Sequence, residues 1–300
     1  MLRSLKDLEQ YAVVATDGAV GKVSNFLLDD SRWTIRYLVV DAGTFFQERS
    51  VLISPMFFRQ TDWATRTFRL ALATEKIKNS PSIDLDKPVS RQHERDYYRY
   101  YGYPYYWGFP GIWGSGYFPG AFAAAAADGG PWTEPRADQA EEPAGDAHLR
   151  SAKEVCGYVV QGNHKEMIGH VQDFIVDDET WQIRYLVVDT SRWWFGKKVL
   201  VAPDWATRIS WEERSVNVDL SRESVKNGPS WDPGDAVNRG YEARLYDYYG
   251  RPVYWVGDGS GDMSPRHSSV IAHDENHVSM TSPVAKPITS EKGPFDAARR

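Results

Sequence analysis

Apolar and polar positions along the chain fall into short blocks rather than long helical stripes. Val23 to Leu28 is mostly apolar, Asp29 to Arg32 is a polar cluster, Trp33 to Asp41 is a nearly unbroken run of β-branched and aromatic residues, and Val51 to Ile53 is a short apolar run closed by Pro55. Blocks of this length, bounded by turn residues, predict buried strands joined by tight connections. Thr67 to Leu72 alternates as a further strand. The same succession returns 148 positions later: the seven residues Ile35 to Asp41 recur unchanged as Ile183 to Asp189. Between positions 21 and 55, sixteen of thirty-five residues equal their counterparts at that spacing. One unit has been written twice.

The repeat phase locates the remaining boundaries. Lead-in residues Ser4, Lys6, Asp7 and Tyr11 match Ser151, Lys153, Glu154 and Tyr158 at an offset of 147, which becomes 148 from Gly21 and Gly169 onward. One residue has therefore been gained in the turn containing Gly162-Asn163-His164-Lys165, and insertions of that size belong in loops. After the last strand of each copy a short helix is expected, with Thr74 or Ser221 as N-cap and Asn79-Ser80-Pro81 or Asn227-Gly228-Pro229 as its stop. Short strands with one terminal helix describe a small β-barrel, in which closure removes exposed strand edges.

The motifs Gly-x-Val, paired aspartates in a turn, Arg-Tyr-Leu-Val-Val-Asp and a later Val-Leu-Ile/Val-x-Pro resemble the PRC-barrel family. That fold also occurs in the cytoplasmic domain of the photosynthetic reaction centre H subunit and in the C-terminal domain of a ribosome maturation factor. The resemblance implies a mainly β chain of two tandem PRC-type barrels, at residues 1–88 and 149–236, and barrels of this type act as docking surfaces for other proteins. Past each barrel, Tyr100-Tyr101-Gly102-Tyr103-Pro104-Tyr105-Tyr106-Trp107 aligns with Tyr248-Tyr249-Gly250-Arg251-Pro252-Val253-Tyr254-Trp255. Residues 89–107 and 237–256 are read as aromatic straps packing on the barrels, because such rings bury large areas. Residues 108–148 read as a flexible Gly/Ala/Pro-rich linker and residues 257–300 as a disordered tail.

Composition narrows the function. A formal net charge of −6 over 300 residues supplies no basic field for a phosphate backbone, so nucleic acid is not an expected partner. Cys156 is the only cysteine, which excludes an intrachain disulfide and any multi-cysteine metal site, and it reads as a small buried residue. The N-terminal residues carry charge where a signal peptide needs an apolar core, and a cytoplasmic location is expected. From Tyr100 to Ala127 there is no charged residue, but Gly and Pro recur too often for a spanning helix; membrane contact would be shallow and interfacial.

No reactive constellation stands out. Asp29-Asp30 and Asp177-Asp178 read as turn formers, and His273 and His277, four apart in the tail, lack further placed ligands. Arg36 and Arg184 face away from Asp41 and Asp189 in an extended strand and must pair elsewhere. No phosphate loop, catalytic triad, cofactor site or metal site is predicted, and an enzyme is not expected. The aromatic loops remain: Phe45 and Phe46 in the first copy, and Trp193, Trp194 and Phe195 in the second, with Arg192, Lys197 and Lys198 as a charged rim. They are the candidate partner-binding residues. The expected function is a non-catalytic protein-binding or scaffold module whose two barrels pack on each other. The alternatives are a peripheral membrane or reaction-centre H-subunit-like component, and small-ligand binding in the cleft between barrels.

Overall fold

A computed structural model of the chain describes residues 1–42, 49–81, 89–103, 105–107, 113, 119, 149–190 and 197–256. The first half runs β1 (Leu2–Ser4), α1 (Leu5–Leu8), β2 (Ala12–Val14), β3 (Ala19–Asp29), β4 (Thr34–Ala42), β5 (Ser50–Ile53), β6 (Phe58–Asp62), β7 (Thr67–Leu70), α2 (Thr74–Lys78) and α3 (Arg91–Tyr101). The second runs β8 (Leu149–Ser151), α4 (Ala152–Val155), β9 (Val159–Gln161), β10 (Met167–Asp177), β11 (Ile183–Asp189), β12 (Lys198–Val201), β13 (Ala206–Ser210), β14 (Ser215–Val218), α5 (Arg222–Asn227) and α6 (Arg239–Tyr248). These elements form two seven-stranded sheets. Their paths are β5-β4-β3-β2-β7-β6 and β12-β11-β10-β9-β14-β13, and each takes its seventh strand from the opposite half of the chain.

The duplicated run forms the centre of each sheet, as its composition dictates. Ile35, Tyr37, Leu38 and Val40 in β4, and Tyr185, Leu186 and Val188 in β11, are fully buried, since β-branched and aromatic side chains fill both faces of a covered strand. Gly21 lies opposite Ala42, and a Cβ on it would sit 2.0 Å from the Asp41 carbonyl oxygen. Gly169 makes the same approach to Asp189, at 2.4 Å. The glycine of the Gly-x-Val motif is thus required by backbone proximity. The extra residue of the second copy falls where expected, in a turn that holds His164 and Lys165 at a φ of 60°.

Three expectations change. First, the sheets are not closed barrels: among the described residues no ladder joins β5 to β6 or β12 to β13. A proline follows each of β5 and β12 and opens a single 3-10 turn, where fixed φ and a missing N–H interrupt pairing. In the first half α3 fills the gap, with the Tyr97 hydroxyl accepting from the Ser54 N–H (3.3 Å) and donating to the Leu52 carbonyl (2.9 Å). Second, Thr74 is the first residue of α2 rather than its cap. Asp17, from the β2–β3 turn, accepts from the Thr74 N–H and hydroxyl at 2.8 and 3.0 Å and does the capping. Ser221 caps α5 as expected, accepting from Ser224 N–H at 3.0 Å.

Third, the straps begin as helices. Ser90 caps α3, and Gly102 ends it at a φ of +72°, a left-handed position suited to glycine. Tyr97, Tyr98, Tyr101, Tyr103, Tyr106 and Trp107 are buried, so in the first half the rings are packing. In the second half Tyr246 is buried while Tyr248 is exposed. Met1–Val253 is one compact unit. Beyond it, Tyr254–Val256 is a single 3-10 turn with the Tyr254 and Trp255 rings edge to face at 5.0 Å. The linker and tail readings fall almost wholly outside the described residues. No described helix is long and apolar enough to cross a membrane.

Candidate functional site

Each half contains a charge network built from the same positions 148 apart, its aspartate and arginine buried in the first half and partly exposed in the second. In the first, Asp29 ends β3 and folds over its own turn, its Oδ1 accepting from the Ser31 N–H (3.0 Å), the Ser31 hydroxyl (2.6 Å) and the Arg32 N–H (3.2 Å). Its Oδ2 accepts from Arg36 Nε and Nη2 at 3.1 and 2.9 Å. Arg36, on β4, is completely buried. Its guanidinium lies 3.8 Å from the Tyr106 ring centre and 4.8 Å from that of Trp113, a cage in which cation–π attraction compensates for lost water. Burial on its own would raise the Asp29 carboxyl, but Arg36 and the Ser31 donors outweigh it and hold the group below the usual carboxylate range.

Glu94, on α3, closes the network beneath this cage. Its Oε1 accepts from the Tyr37 and Tyr106 hydroxyls at 3.0 and 2.8 Å, and its Oε2 from Arg91 at 2.7 Å. Burial dominates nonetheless, and lifts the carboxyl to about 7 against the pull of Arg91 and the two hydroxyls. In the second half Tyr185 donates to Glu242 at 2.8 Å, and Arg239 pairs with the same carboxylate at 3.0 Å. Asp177 accepts from the Glu179 and Thr180 N–H groups at 3.0 and 3.4 Å, with Arg184 3.7 Å away. Sequence reasoning missed Glu94 and Glu242. The signal was Val89-x-Arg91-x-x-Glu94, which returns as Val237-x-Arg239-x-x-Glu242.

A second repeated site joins the halves. β1 pairs antiparallel with the end of β10, Leu2 opposite Asp177 and Ser4 opposite Ile175. β8 pairs in the same way with the end of β3, Ser151 opposite Leu27 and Leu149 opposite Asp29. Both strands read Leu-Arg-Ser. Arg3 donates to Asp178 at 2.7 Å and lies 3.5 Å over the Trp63 ring. Arg150 lies 3.7 Å from Asp30 and 4.2 Å over the Trp211 ring. Ser4 donates to Asp173, and Ser151 accepts from the Asn25 amide at 2.8 Å. Asn25 and Asp173 follow equivalent β-bulges in β3 and β10, whose extra residue re-aims the side chain toward the incoming strand. Trp33 and Trp181, both at positive φ, present carbonyls that accept from Ile183 and Ile35 N–H across the junction, at 2.7 and 2.8 Å.

Each aspartate pair therefore divides its work: the first residue makes the turn and holds an arginine of its own sheet, and the second clamps the visiting strand. Asp41, by contrast, accepts from the Ser24 and Ser50 hydroxyls at 2.8 and 3.0 Å. Beside the junction lies a cleft of about 360 Å³, formed by Pro55 and the β6 residues Phe58 to Thr61 on one side, and by Asp178, Glu179 and Trp181 on the other.

Of the aromatic-loop candidates, Phe45, Phe46, Arg192, Trp193, Trp194 and Phe195 lie outside the described residues. Lys197 is tied down, its ammonium donating to the Val225, Lys226 and Gly228 carbonyls at 3.3, 2.7 and 2.6 Å. Partial burial lowers its pKa. Its counterpart Arg49 donates likewise to the Ile77 and Lys78 carbonyls. Lys198 begins β12, and its carbonyl accepts from Trp231 N–H at 2.8 Å. Cys156 is half-buried, and burial pushes its thiol up to about 11, away from nucleophile chemistry. Among the described residues no group of three or more His, Cys, Asp or Glu side chains converges as a metal site.

A search of curated proteins found no match to the chain. Residues 148–225, which carry β8 through most of α5, match the family model described as the PRC-barrel domain, so this part of the second half is similar to that domain.

Proposed function

We propose that the chain is a non-catalytic interaction protein made of two PRC-type modules, the first sheet being the second copy of the domain matched at residues 148–225. The observation that carries this reading is the use of its charged groups. Asp29, Arg36 and Glu94 are all buried and bonded to the chain's own residues, and the equivalent positions repeat much of the arrangement in the other half. A carboxyl group enclosed by two tyrosines and an arginine is engaged by the chain's own side chains and offers no route to substrate. Recognition is assigned to the aromatic loops, Phe45-Phe46 and Trp193-Trp194-Phe195 with Arg192 and Lys198 beside them, where ring-bearing residues supply the contact area of an interface. The cleft beside β6 supports a second reading, the binding of a small polar ligand by Arg59, Gln60 and Glu179.

The test compares the chain with its Trp193→Ala/Trp194→Ala variant by affinity capture and thermal melting. Loss of specific capture at an unchanged melting temperature supports the docking role. A lowered melting temperature with capture intact shows that the rings plug the sheet and removes the role. A rise in melting temperature with a small polar ligand that Gln60→Ala abolishes and the tryptophan variant keeps moves the site to the cleft.

A further inference from the structure

The strand exchange within one chain points to exchange between chains: we propose that the Leu2–Leu8 arm of one copy seats on β10 of a second copy, so that the protein self-associates as a closed, arm-exchanged dimer. The inference stands on the junction and does not depend on which heterologous protein the aromatic loops recognise.

Three observations carry it. The arm and its socket form a duplicated recognition pair: the same Leu-Arg-Ser strand enters an edge where an aspartate holds the arginine and a bulge residue holds the serine. Among the described residues the socket on β10 holds the arm through a short backbone ladder, Asp173, Asp178 and the packing of α1 against β10, all of which a second copy offers equally; the stacking of Arg3 on Trp63 is the contact that stays with the arm's own half. The arm also departs from its own sheet at a defined pivot. Gln10, at a φ of 66°, donates to the Val23 carbonyl at 2.8 Å, and Gly157, at 99°, donates to the Val171 carbonyl at 2.7 Å. Those bonds fix the base of each arm to its parent sheet, so swinging the arm at Gln10 costs the Tyr11 N–H bond to the Leu8 carbonyl, at 3.4 Å, while the ladder of β2 with β3 stays in place.

An element that already crosses from one module to its twin, and whose socket recurs on every other copy, is of the kind that protomers exchange in domain swapping. The local concentration of the attached socket favours the intrachain arrangement in dilute solution. Concentration or transient opening shifts arms between copies. The reciprocal exchange closes after two chains, because each donates one arm and offers one vacated socket.

The experiment uses full-length chains in a Cys156→Ala background. Leu2 and Asp177 are register partners, so a chain carrying both Leu2→Cys and Asp177→Cys is expected to form an intrachain disulfide when oxidised dilute; failure to do so overturns the socket geometry. Chains carrying Leu2→Cys alone are then mixed, concentrated, with chains carrying Asp177→Cys alone. Interchain disulfide should exceed by about tenfold that formed with Glu223→Cys, on the exposed face of α5, because only the socket raises the local thiol concentration. Equal yields in the two mixtures overturn the proposal. Light scattering of the unsubstituted chain keeps the question decidable if a cysteine variant folds poorly. A dimer fraction that grows with concentration, and grows faster after brief exposure to sub-denaturing urea, is expected; a monomer mass throughout overturns it.

Discussion

Glu94 shows how one residue's environment becomes a property of the fold. Its carboxyl rises from the ordinary 4.5 to about 7 because burial outweighs Arg91. A group with a raised folded-state pKa binds its proton more tightly folded than unfolded, so its contribution to stability is full below pH 4.5 and is lost as pH rises through 7. The loss amounts to about 3 kcal/mol over that window. Asp29 has the opposite sign: its lowered pKa makes stability fall as acid protonates it, below the usual carboxylate range. Urea unfolding of the chain and of Glu94→Gln, measured from pH 4.5 to 8, should show wild-type stability declining while the variant stays flat. Parallel profiles would remove the buried-proton account. The same scale explains why Arg36 was only half legible. Alternation in the strand separates it from Asp41, but its true partner is the turn aspartate seven residues earlier, and its cage comes from Tyr106 and Trp113, some seventy residues later.

Elements repeat in pairs, and the pairing assigns roles that a single copy leaves open. Lys197 and Arg49 occupy equivalent positions before β12 and β5, and both donate to carbonyls at the end of the helix that follows the sheet. A cation there satisfies acceptors that the helix leaves unpaired and complements its dipole. Lys197→Met should cost about 1 kcal/mol in denaturant unfolding and leave partner capture unchanged. Weakened capture at full stability would return Lys197 to the rim of a docking site. The strands themselves were legible, because Ile35 to Asp41 and Val51 to Ile53 are β-branched runs whose burial needs no distant information. β6 was not, since Phe58-Arg59-Gln60-Thr61-Asp62 is an edge strand with two exposed residues and no apolar alternation. α3 was hidden for a different reason: its buried face is made of Glu94, Tyr97, Tyr98 and Tyr101, and tyrosine carries little helix preference of its own. The partner of β1 was beyond reach in principle. Both halves offer an aspartate pair and a bulge at the same edge, differing mainly in Asn25 against Asp173, so a Leu-Arg-Ser strand does not by itself tell its own sheet from its twin's.

At the scale of the whole molecule, the exchanged arms turn two small sheets into one cooperative body. Each half alone has a modest core, and each arm contributes buried apolar side chains to the junction, Leu5 and Leu8 from α1, Ala152 and Val155 from α4. Full burial of a leucine stabilises by roughly 1.5–3 kcal/mol, and the two arms act together because each pins the sheet that holds the other. Their ladders, the Arg3–Asp178 and Arg150–Asp30 contacts and the carbonyl bonds from Trp33 and Trp181 all lie between the halves. None depends on the chain being continuous between them. A protease site inserted between residues 120 and 148 should therefore yield, after cleavage, two fragments that elute together on gel filtration at micromolar concentration and melt in a single transition. Asp30→Asn combined with Asp178→Asn, by weakening both clamps, should release the fragments from each other at concentrations where the parent pair holds. Separation of the unsubstituted fragments would mean that the linker, and not the arms, keeps the halves together, and would take the arm-exchanged dimer down with it, since both rest on the same non-covalent clasp.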